Sequence, residues 1–581
     1  MVNTKKLPVS VSDFKRMIEG NYFYVDKTLF IKEILDKGDT IILIPRPRRF
    51  GKTLNISMLQ YYYDCCPAKV SPDSKGRFPS KREDLPKNSY KQLFENLAIT
   101  QAGEEYLEKI GKNPVIFVSF KNVKDSTWDV CWEKIRQVII DEYSKHYYLL
   151  SSIALLPNEK DYFKRIIDLK GSIGDYQNSL GQLLKFLYRY YETRVVILID
   201  EYDAAIHAGY TCNYYDKAID FMRGFLCGGL KDTDEFLEKS VITGILRIAK
   251  ESIFSGLNNP GVYTVVSEEF SDKFGFTESE VESFLTQYNL LDQYDEVRRW
   301  YNGYRFGDEI IYNPWSIINF LESKVHELKP YWLNTSSNDL IDTFLSNGGQ
   351  ELKEELEQLI RGEAIEKLID ENIIMKEITS REDLLWSFLL MTGYLKFTAK
   401  RKIGDQFYYN LAIPNAEVRI AYKSIIKKFF SDKIKNKELE IMLKALIAGD
   451  ISLFEKILQK IVTAIFSYHD FSDEPERVYH ALVTGLLVWL WETHEIKSNR
   501  ESGFGRYDIM IIPKDPSLLG YVIEFKAVDD DINETVPAAV EAAFKQIDSK
   551  EYETKLIERG IRNIKKLAIV FSGKRVFVKE H

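Results

Sequence analysis

Short apolar runs bounded by polar turns recur along the first half of the chain. Thr40–Ile44 leads into a Pro/Arg/Gly turn and then a helical stretch from Thr53 to about Tyr63. Pro114–Phe120, Val195–Ile199 and Ser240–Leu246 repeat the run, with helix-period stretches between them. Buried strands alternating with helices predict a parallel α/β sheet. From about Glu278 to Tyr422 the pattern turns mostly helical. Within it, Leu384–Gly393 is followed by Tyr394-Leu-Lys-Phe and Gln406–Ile413, the helix-then-hairpin order of a winged helix. After about Pro475 the order is helix, strand, hairpin, strand, helix, strand, which predicts a second α/β unit. These changes of pattern divide the chain into 1–275, 276–460 and 461–581.

Composition narrows the class without naming a function. With 581 residues, 45% hydrophobic and 29% charged, the chain has ample material for several cores. The longest near-uniform apolar run, Ala481–Trp491, contains Thr484 and Gly485 and is too short to span a bilayer, so no membrane association is expected. Lys5 and Lys6 precede no apolar segment, so no export signal is expected. Five cysteines, with no CxxC pair, imply neither a disulfide framework nor a zinc site and fit a reducing cytoplasm. The formal charge of −8 gives no global attraction for nucleic acid, so such binding must come from local patches.

The first chemical signal is Gly51-Lys52-Thr53, placed after a buried strand and at a helix start. There, backbone N–H groups cradle phosphate, Lys52 reaches the β/γ-phosphates, and the Thr53 hydroxyl ligates Mg²⁺. Arg46 stands where the common GxxxxGK[ST] pattern has glycine, and Pro47 has no N–H, so Arg48, Arg49 and the amides of Phe50 and Gly51 are expected to carry the loop. A lone GKT is weak. Its partner is Val195-Val-Ile-Leu-Ile-Asp200-Glu201, a strand ending in two acids. Asp200 is expected to hold Mg²⁺ through water and Glu201 to polarise the attacking water. At the end of the next strand, Thr243 or Arg247 either senses the γ-phosphate or is an ordinary strand-end residue.

Several stretches resemble the AAA-ATPase-like family, P-loop proteins near the archaeal and STAND-type ATPases. They are Phe23-Tyr-Val-Asp-Lys-Thr28, Arg46-Pro-Arg-Arg-Phe-Gly-Lys-Thr-Leu54, Leu198-Ile-Asp-Glu-Tyr-Asp203 and Thr243–Asn259, with Trp300–Phe306 and Tyr312–Ser316 as downstream markers. The resemblance covers about the first 340 residues. It implies an ATP site with Mg²⁺, treats Arg46 as normal, and allows a homo-oligomer in which a neighbouring subunit supplies an arginine.

A second signal lies near the C-terminus. Arg506-Tyr-Asp508-Ile-Met-Ile-Ile512 reads as a strand, and Tyr521-Val-Ile-Glu524-Phe-Lys526-Ala-Val528 as its hairpin partner. Residues two apart share a face, so Glu524 and Lys526 point together and the hairpin can bring Asp508 beside them. Adjacent carboxylates repel unless a cation joins them, which makes Mg²⁺ or Mn²⁺ the natural occupant. The plain alternative is an exposed Glu/Lys pair on an edge strand. The arrangement resembles the PD-(D/E)XK nuclease superfamily through Glu501–Met510, Ile523-Glu-Phe-Lys526 and Phe544-Lys-Gln-Ile547. The resemblance implies a restriction-endonuclease-like α/β domain in which Asp508 and Glu524 hold metal and Lys526 is the catalytic lysine. It further implies that Gln546 supports the site and that Glu476 is an upstream acid. Nucleic acid is the implied partner, DNA ahead of RNA.

Phe544–Arg575 carries nine basic and four acidic residues, with Phe544, Tyr552 and Phe571 interleaved as candidate stacking rings; a solvated helix face explains such basicity equally well. Asp529–Asp531 reads as a solvated loop and His480 as a core histidine. The leading expectation is an ATP-dependent, metal-dependent nuclease. The alternative is a STAND-like switch whose C-terminal domain grips nucleic acid or a partner without cutting.

Overall fold

The computed structural model describes residues 5–65, 90–248, 260–332, 350–360, 362–378, 381–422, 436–465, 483, 486–487, 490, 493–502, 505–528 and 535–581. The chain divides into two compact units, one of residues 1–340 and 366–418, the other of 341–365 and 419–581. Among the described residues the strands are numbered in chain order, β1 to β16.

In the first unit, β1 (Ile41–Pro45), β2 (Val115–Ser119), β3 (Val195–Asp200), β4 (Leu237–Gly244) and β5 (Gly261–Val262) form a sheet of order β2-β3-β4-β1-β5. Every pairing in it is parallel. All residues of β1 and β3 are buried, which is why both read as unbroken apolar runs. Because β4 lies between β1 and β3, the chain leaves three neighbouring strands at one edge of the sheet. Side chains from all three can converge there.

The middle of the chain is less helical than its pattern suggests. Helices Glu278–Gln287, Tyr294–Tyr301, Pro314–Glu322 and Glu382–Met391 alternate with short strands. β6 (Phe276–Thr277), β7 (Tyr304–Phe306) and β8 (Glu309–Tyr312) form one antiparallel sheet of order β6-β8-β7. Strands of two to four residues are too short to show a period. The expected helix and hairpin are both present. Helix Glu382–Met391 turns at Gly393 (φ 86°) into β10 (Lys396–Ile403) and β11 (Gln406–Ala412), and β9 (Ile365–Leu368) pairs with β11 as the third strand.

In the second unit, β12 (His494–Ser502), β13 (Gly505–Pro513), β14 (Gly520–Ala527), β15 (Ile564–Ser572) and β16 (Arg575–Glu580) form a mixed sheet in chain order. Only β14 and β15 pair in parallel, and helix Val536–Ser549 connects them. Alternation along β13 and β14 builds two cores. Ile509, Ile511, Tyr521, Ile523 and Phe525 pack with helices Asn436–Ala448 and Ile451–Ile465, whereas Met510, Ile512 and Val522 pack with Ile547 and Tyr552. Among the described residues no helix is long and apolar enough to cross a membrane.

Candidate functional site

The turn between β1 and helix Lys52–Tyr63 uses two left-handed residues, Arg49 (φ 70°) and Gly51 (φ 86°). Lys52 is folded back so that its ammonium donates to the carbonyls of Arg46 and Pro47, both at 2.9 Å. Thr53 Oγ1 donates to Asp200 Oδ2 at 2.9 Å, Ser119 Oγ to the same oxygen at 3.3 Å, and Thr243 Oγ1 to Oδ1 at 2.8 Å. Asp200 is fully buried, so these hydroxyls from the first turn of the helix, β2 and β4 replace its lost hydration. A carboxylate beside a threonine hydroxyl is a hard-oxygen donor set that suits Mg²⁺.

Glu201 follows in a left-handed conformation (φ 52°). Burial raises its pKa; Lys52 opposes this, and Asp200 and Asp203 add to it. Burial lowers the pKa of Lys52 against the pull of Glu201, Asp200 and Asp203. A cavity of about 710 Å³ opens over these groups, and its lining includes Arg48, Arg49, Lys52, Thr53, Lys121 and Glu201 together with Phe23, Phe276, Trp315 and Ile318, with Arg49 4.2 Å from the Trp315 ring centre. Its size is that of a small-molecule site, and it combines cations with apolar walls.

Two expected nucleotide contacts, Thr243 and Arg247, need revision, whereas Phe50 is expected to act only through its amide. The Phe50 side chain is fully buried against Tyr304 (4.9 Å) and Phe306 (5.2 Å), which leaves only its amide for a ligand. Thr243 reaches the site through Asp200. Arg247 is not among the residues lining the cavity. The cause is local. Asp203 Oδ2 accepts from the amides of Ile245 (2.8 Å) and Leu246 (3.0 Å), while the Tyr202 hydroxyl donates to the Leu246 carbonyl and accepts from the Ile248 amide. These bonds hold the segment after β4 against Tyr202 and Asp203, and of its described residues, 245–248, only Ile245 lines the cavity. Asp203 also pairs with His207 at 3.1 Å. Burial raises the Asp203 pKa, but His207 and the two amides outweigh it and hold it below the ordinary carboxylate value.

Arg46, the residue in place of the first glycine, does not face the cavity. Its guanidinium is buried, donating to the carbonyls of Pro45 (2.9 Å), Tyr263 (2.7 Å) and Phe270 (3.3 Å), and lies 5.2 Å from the ring centres of Phe274 and Phe306. It ties the loop to the chain beyond β5. Arg46→Gly, which restores the common pattern, is therefore expected to destabilise the protein by roughly 3 kcal/mol, because buried carbonyls lose their donors. Denaturant midpoints measure this, and an unchanged midpoint contradicts it.

A second brace comes from far along the sequence. Trp332 Nε1 donates to the Arg48 carbonyl at 3.3 Å, and the Trp332 amide donates to Glu417 at 2.7 Å. Ser316 also donates to Glu417, at 2.8 Å. Burial pushes the Glu417 carboxyl up to about 7 against these donors and the Tyr331 amide. The folded chain thus keeps a proton that the unfolded chain releases near pH 4.5. The resulting stabilisation is complete below that pH and is lost as pH rises through about 7. Relative to Glu417→Gln, wild-type stability is expected to fall by up to about 3 kcal/mol over this range in urea titrations. Parallel profiles contradict it.

In the second unit, the antiparallel register pairs Ile509 with Ile523 and Met510 with Val522. Continued by one residue, it sets Asp508 opposite Glu524, on the face that carries Met510 and Val522. Asp508 Oδ2 accepts from the Phe525 amide at 2.8 Å. Glu524 is 1% exposed, and its Oε1 lies 3.5 Å from Lys526 Nζ. Burial raises the pKa of Asp508, opposed by the Phe525 amide and Lys526. Helix Val536–Ser549 brings in Gln546, whose Nε2 donates to the Tyr552 hydroxyl at 3.4 Å. Burial raises the Tyr552 pKa, and Glu524, Asp508 and Lys526 all act on it, so Tyr552 belongs to this cluster.

Two carboxylates on one face fit a hard divalent cation. Among the described residues no group of three or more metal-binding side chains forms, and Glu476 lies outside the described residues, as do His480 and Asp529–Asp531. The basic C-terminal stretch is a weaker polyanion site than its composition suggests. Lys565 pairs with Glu580 (2.7 Å), Lys566 with Asp548 (2.7 Å) and Glu553 (3.0 Å), and Arg559 with Glu495. Tyr552 and Phe571 are buried and cannot stack bases.

Residues 8–72 and 83–254 match the family described as a predicted AAA-ATPase, and residues 474–581 match the PD-(D/E)XK nuclease superfamily. Over 575 residues the chain is 25% identical to an uncharacterised protein in the vnfD 5′ region of Azotobacter chroococcum mcd 1, covering 96% of this chain and 95% of that protein. No solved structure matches. The chain carries a predicted AAA-ATPase region and, after it, a PD-(D/E)XK nuclease superfamily region.

Proposed function

We propose that the protein binds and hydrolyses ATP in the cavity above β1 and β3, and that its C-terminal domain hydrolyses phosphodiester bonds of nucleic acid, DNA ahead of RNA. The observation that carries this reading is the 2.9 Å bond from Thr53 to Asp200, which joins the strand-GKT and strand-Asp-Glu motifs beside one cavity. Arg48, Arg49 and Lys52 bind the phosphates, and Thr53 with Asp200 would hold Mg²⁺. Glu201 orients the attacking water and accepts its proton as ADP and phosphate separate.

In the second unit Asp508 and Glu524 would hold Mg²⁺ or Mn²⁺, with Glu476 as a further acid. Such an ion supplies polarisation of the scissile phosphate and a more acidic bound water. Lys526 orients the attacking water, and Gln546 positions the site through Tyr552. Placement of Lys526 beside a buried carboxylate supports the nuclease reading, since an edge-strand Glu/Lys pair would leave its glutamate in water.

The test is incubation of the full-length protein with linear duplex, single-stranded DNA and RNA, in Mg²⁺ or Mn²⁺, with and without ATP. Cleavage of any of them is the expected result. Intact substrates under every condition, together with slow ATP turnover, favour the nucleotide-dependent switch instead.

A further inference from the structure

We propose that the β10–β11 hairpin is a contact surface for a single-stranded polynucleotide, whose phosphates meet Lys400 and Lys402 and one of whose bases stacks on Phe407. The choice of partner rests on the nuclease reading above, but the surface is argued from its own geometry.

The chain as a whole is acidic, yet the segment from Lys396 to Tyr409 holds four basic residues and one acid. Its register pairs Lys400 with Tyr409 and Lys402 with Phe407, while Arg401 pairs with Tyr408. Directly opposed residues share a face, so Lys400, Lys402, Phe407 and Tyr409 lie on one side of the ribbon and Arg401 on the other. Arg401 is engaged by Glu366 at 2.8 Å. Among the described residues, neither Lys400 nor Lys402 has a carboxylate within ion-pair distance, and both are exposed. This separates them from Lys565, Lys566 and Arg559, whose charges are already answered.

Phe407 is the second observation. It is 41% exposed, whereas its neighbour on the same face, Tyr409, is buried against Phe397. The Lys400 ammonium lies 4.4 Å from the Phe407 ring centre, and that of Lys402 lies 5.7 Å away. An exposed ring beside cations that pair with no carboxylate among the described residues is the arrangement that holds single strands: the ring takes a base and the ammonium groups take its phosphates. Lys400 and Lys402 stand two residues apart on one strand, a spacing of about 7 Å that matches successive phosphates of an extended chain. A duplex keeps its bases stacked and offers Phe407 none.

The hairpin is tested in full-length protein carrying Lys526→Ala, without divalent metal, so that binding is read apart from cleavage. Fluorescence anisotropy with single-stranded DNA, single-stranded RNA of the same sequence and duplex DNA is followed over a range of salt. Each phosphate contact to a single strand contributes about 0.7 to the slope of log K against log salt. Lys400→Ala with Lys402→Ala is expected to lower that slope by about 1.4 on a single strand, and Lys400→Arg with Lys402→Arg to restore it. Phe407→Ala is expected to weaken single-strand binding roughly tenfold with the slope unchanged. ATP turnover without nucleic acid and the thermal midpoint report that the variants are folded. Unchanged affinity and slope in folded variants overturn the proposal, as does a loss confined to duplex or no binding by the parent protein. Cleavage by protein with Lys526 intact is scored separately. A chain that cuts but ignores the hairpin substitutions sinks the hairpin and leaves the nuclease reading standing; one that binds through the hairpin and never cuts does the reverse.

Discussion

Lys526→Ala is expected to lower metal-dependent phosphodiester cleavage by a factor on the order of 10²–10⁴. The ammonium lies 3.5 Å from the buried Glu524 carboxylate, on the strand face that also receives Asp508. In the proposed mechanism it orients the water that attacks phosphorus, and alanine leaves that water without its guide. Removing Lys526 also takes a positive charge from beside a nearly inaccessible carboxylate, so part of the loss could reflect a shifted Glu524 rather than the missing lysine. Lys526→Arg separates the two. Arginine keeps the charge but not the compact ammonium, so it should retain stability while restoring little cleavage. Cleavage of a labelled oligonucleotide, with thermal midpoints as a control, reads both effects. Wild-type rates in Lys526→Ala exclude the assigned role.

Glu201→Gln is expected to slow ATP hydrolysis by a similar factor, on the order of 10²–10⁴, while nucleotide binding holds or tightens. Glutamine keeps the shape of the side chain and its left-handed backbone but cannot accept a proton. It also removes a negative charge that acts on Lys52, which favours phosphate near the ammonium. Turnover by phosphate release and affinity by a fluorescent nucleotide separate the two. Equal loss of binding and turnover would mean that Glu201 is a structural residue of the loop.

Much of this arrangement is legible in the sequence because burial writes itself into strands. β1 and β3 are covered on both faces, so each appears as an apolar run, and chemistry sits at the polar residue where the run stops. Thr53, Asp200 and Glu201 were readable for that reason. The shared face of Glu524 and Lys526 is legible from period-two alternation, and Asp508 from the hairpin that follows it; their roles come from the resemblance to the PD-(D/E)XK nuclease superfamily. The buried brace made by Arg46 is not legible, because substitution at a pattern position says nothing about which way the side chain turns. For Arg247 the sequence leaves open a γ-phosphate sensor or an ordinary strand-end residue, and Tyr202 and Asp203 hold the segment after β4 by bonds that no periodicity reports. Asp203 and His207 do carry a signal, an i, i+4 pair that begins two residues after Glu201. Glu417 and Tyr552 carry none: each joins its site through contacts made only when distant segments fold together.

The central claim is that one chain holds two separate hydrolytic sites, and the most direct measurement assays both activities side by side in wild type, Glu201→Gln and Lys526→Ala. ATP turnover and polynucleotide cleavage are followed together in Mg²⁺ or Mn²⁺, with and without ATP. The predicted result is ATP turnover lost only in Glu201→Gln, cleavage lost in Lys526→Ala, and cleavage by wild type dependent on ATP. Equal cleavage by wild type and Lys526→Ala, or ATP turnover indifferent to Glu201→Gln, would contradict the account.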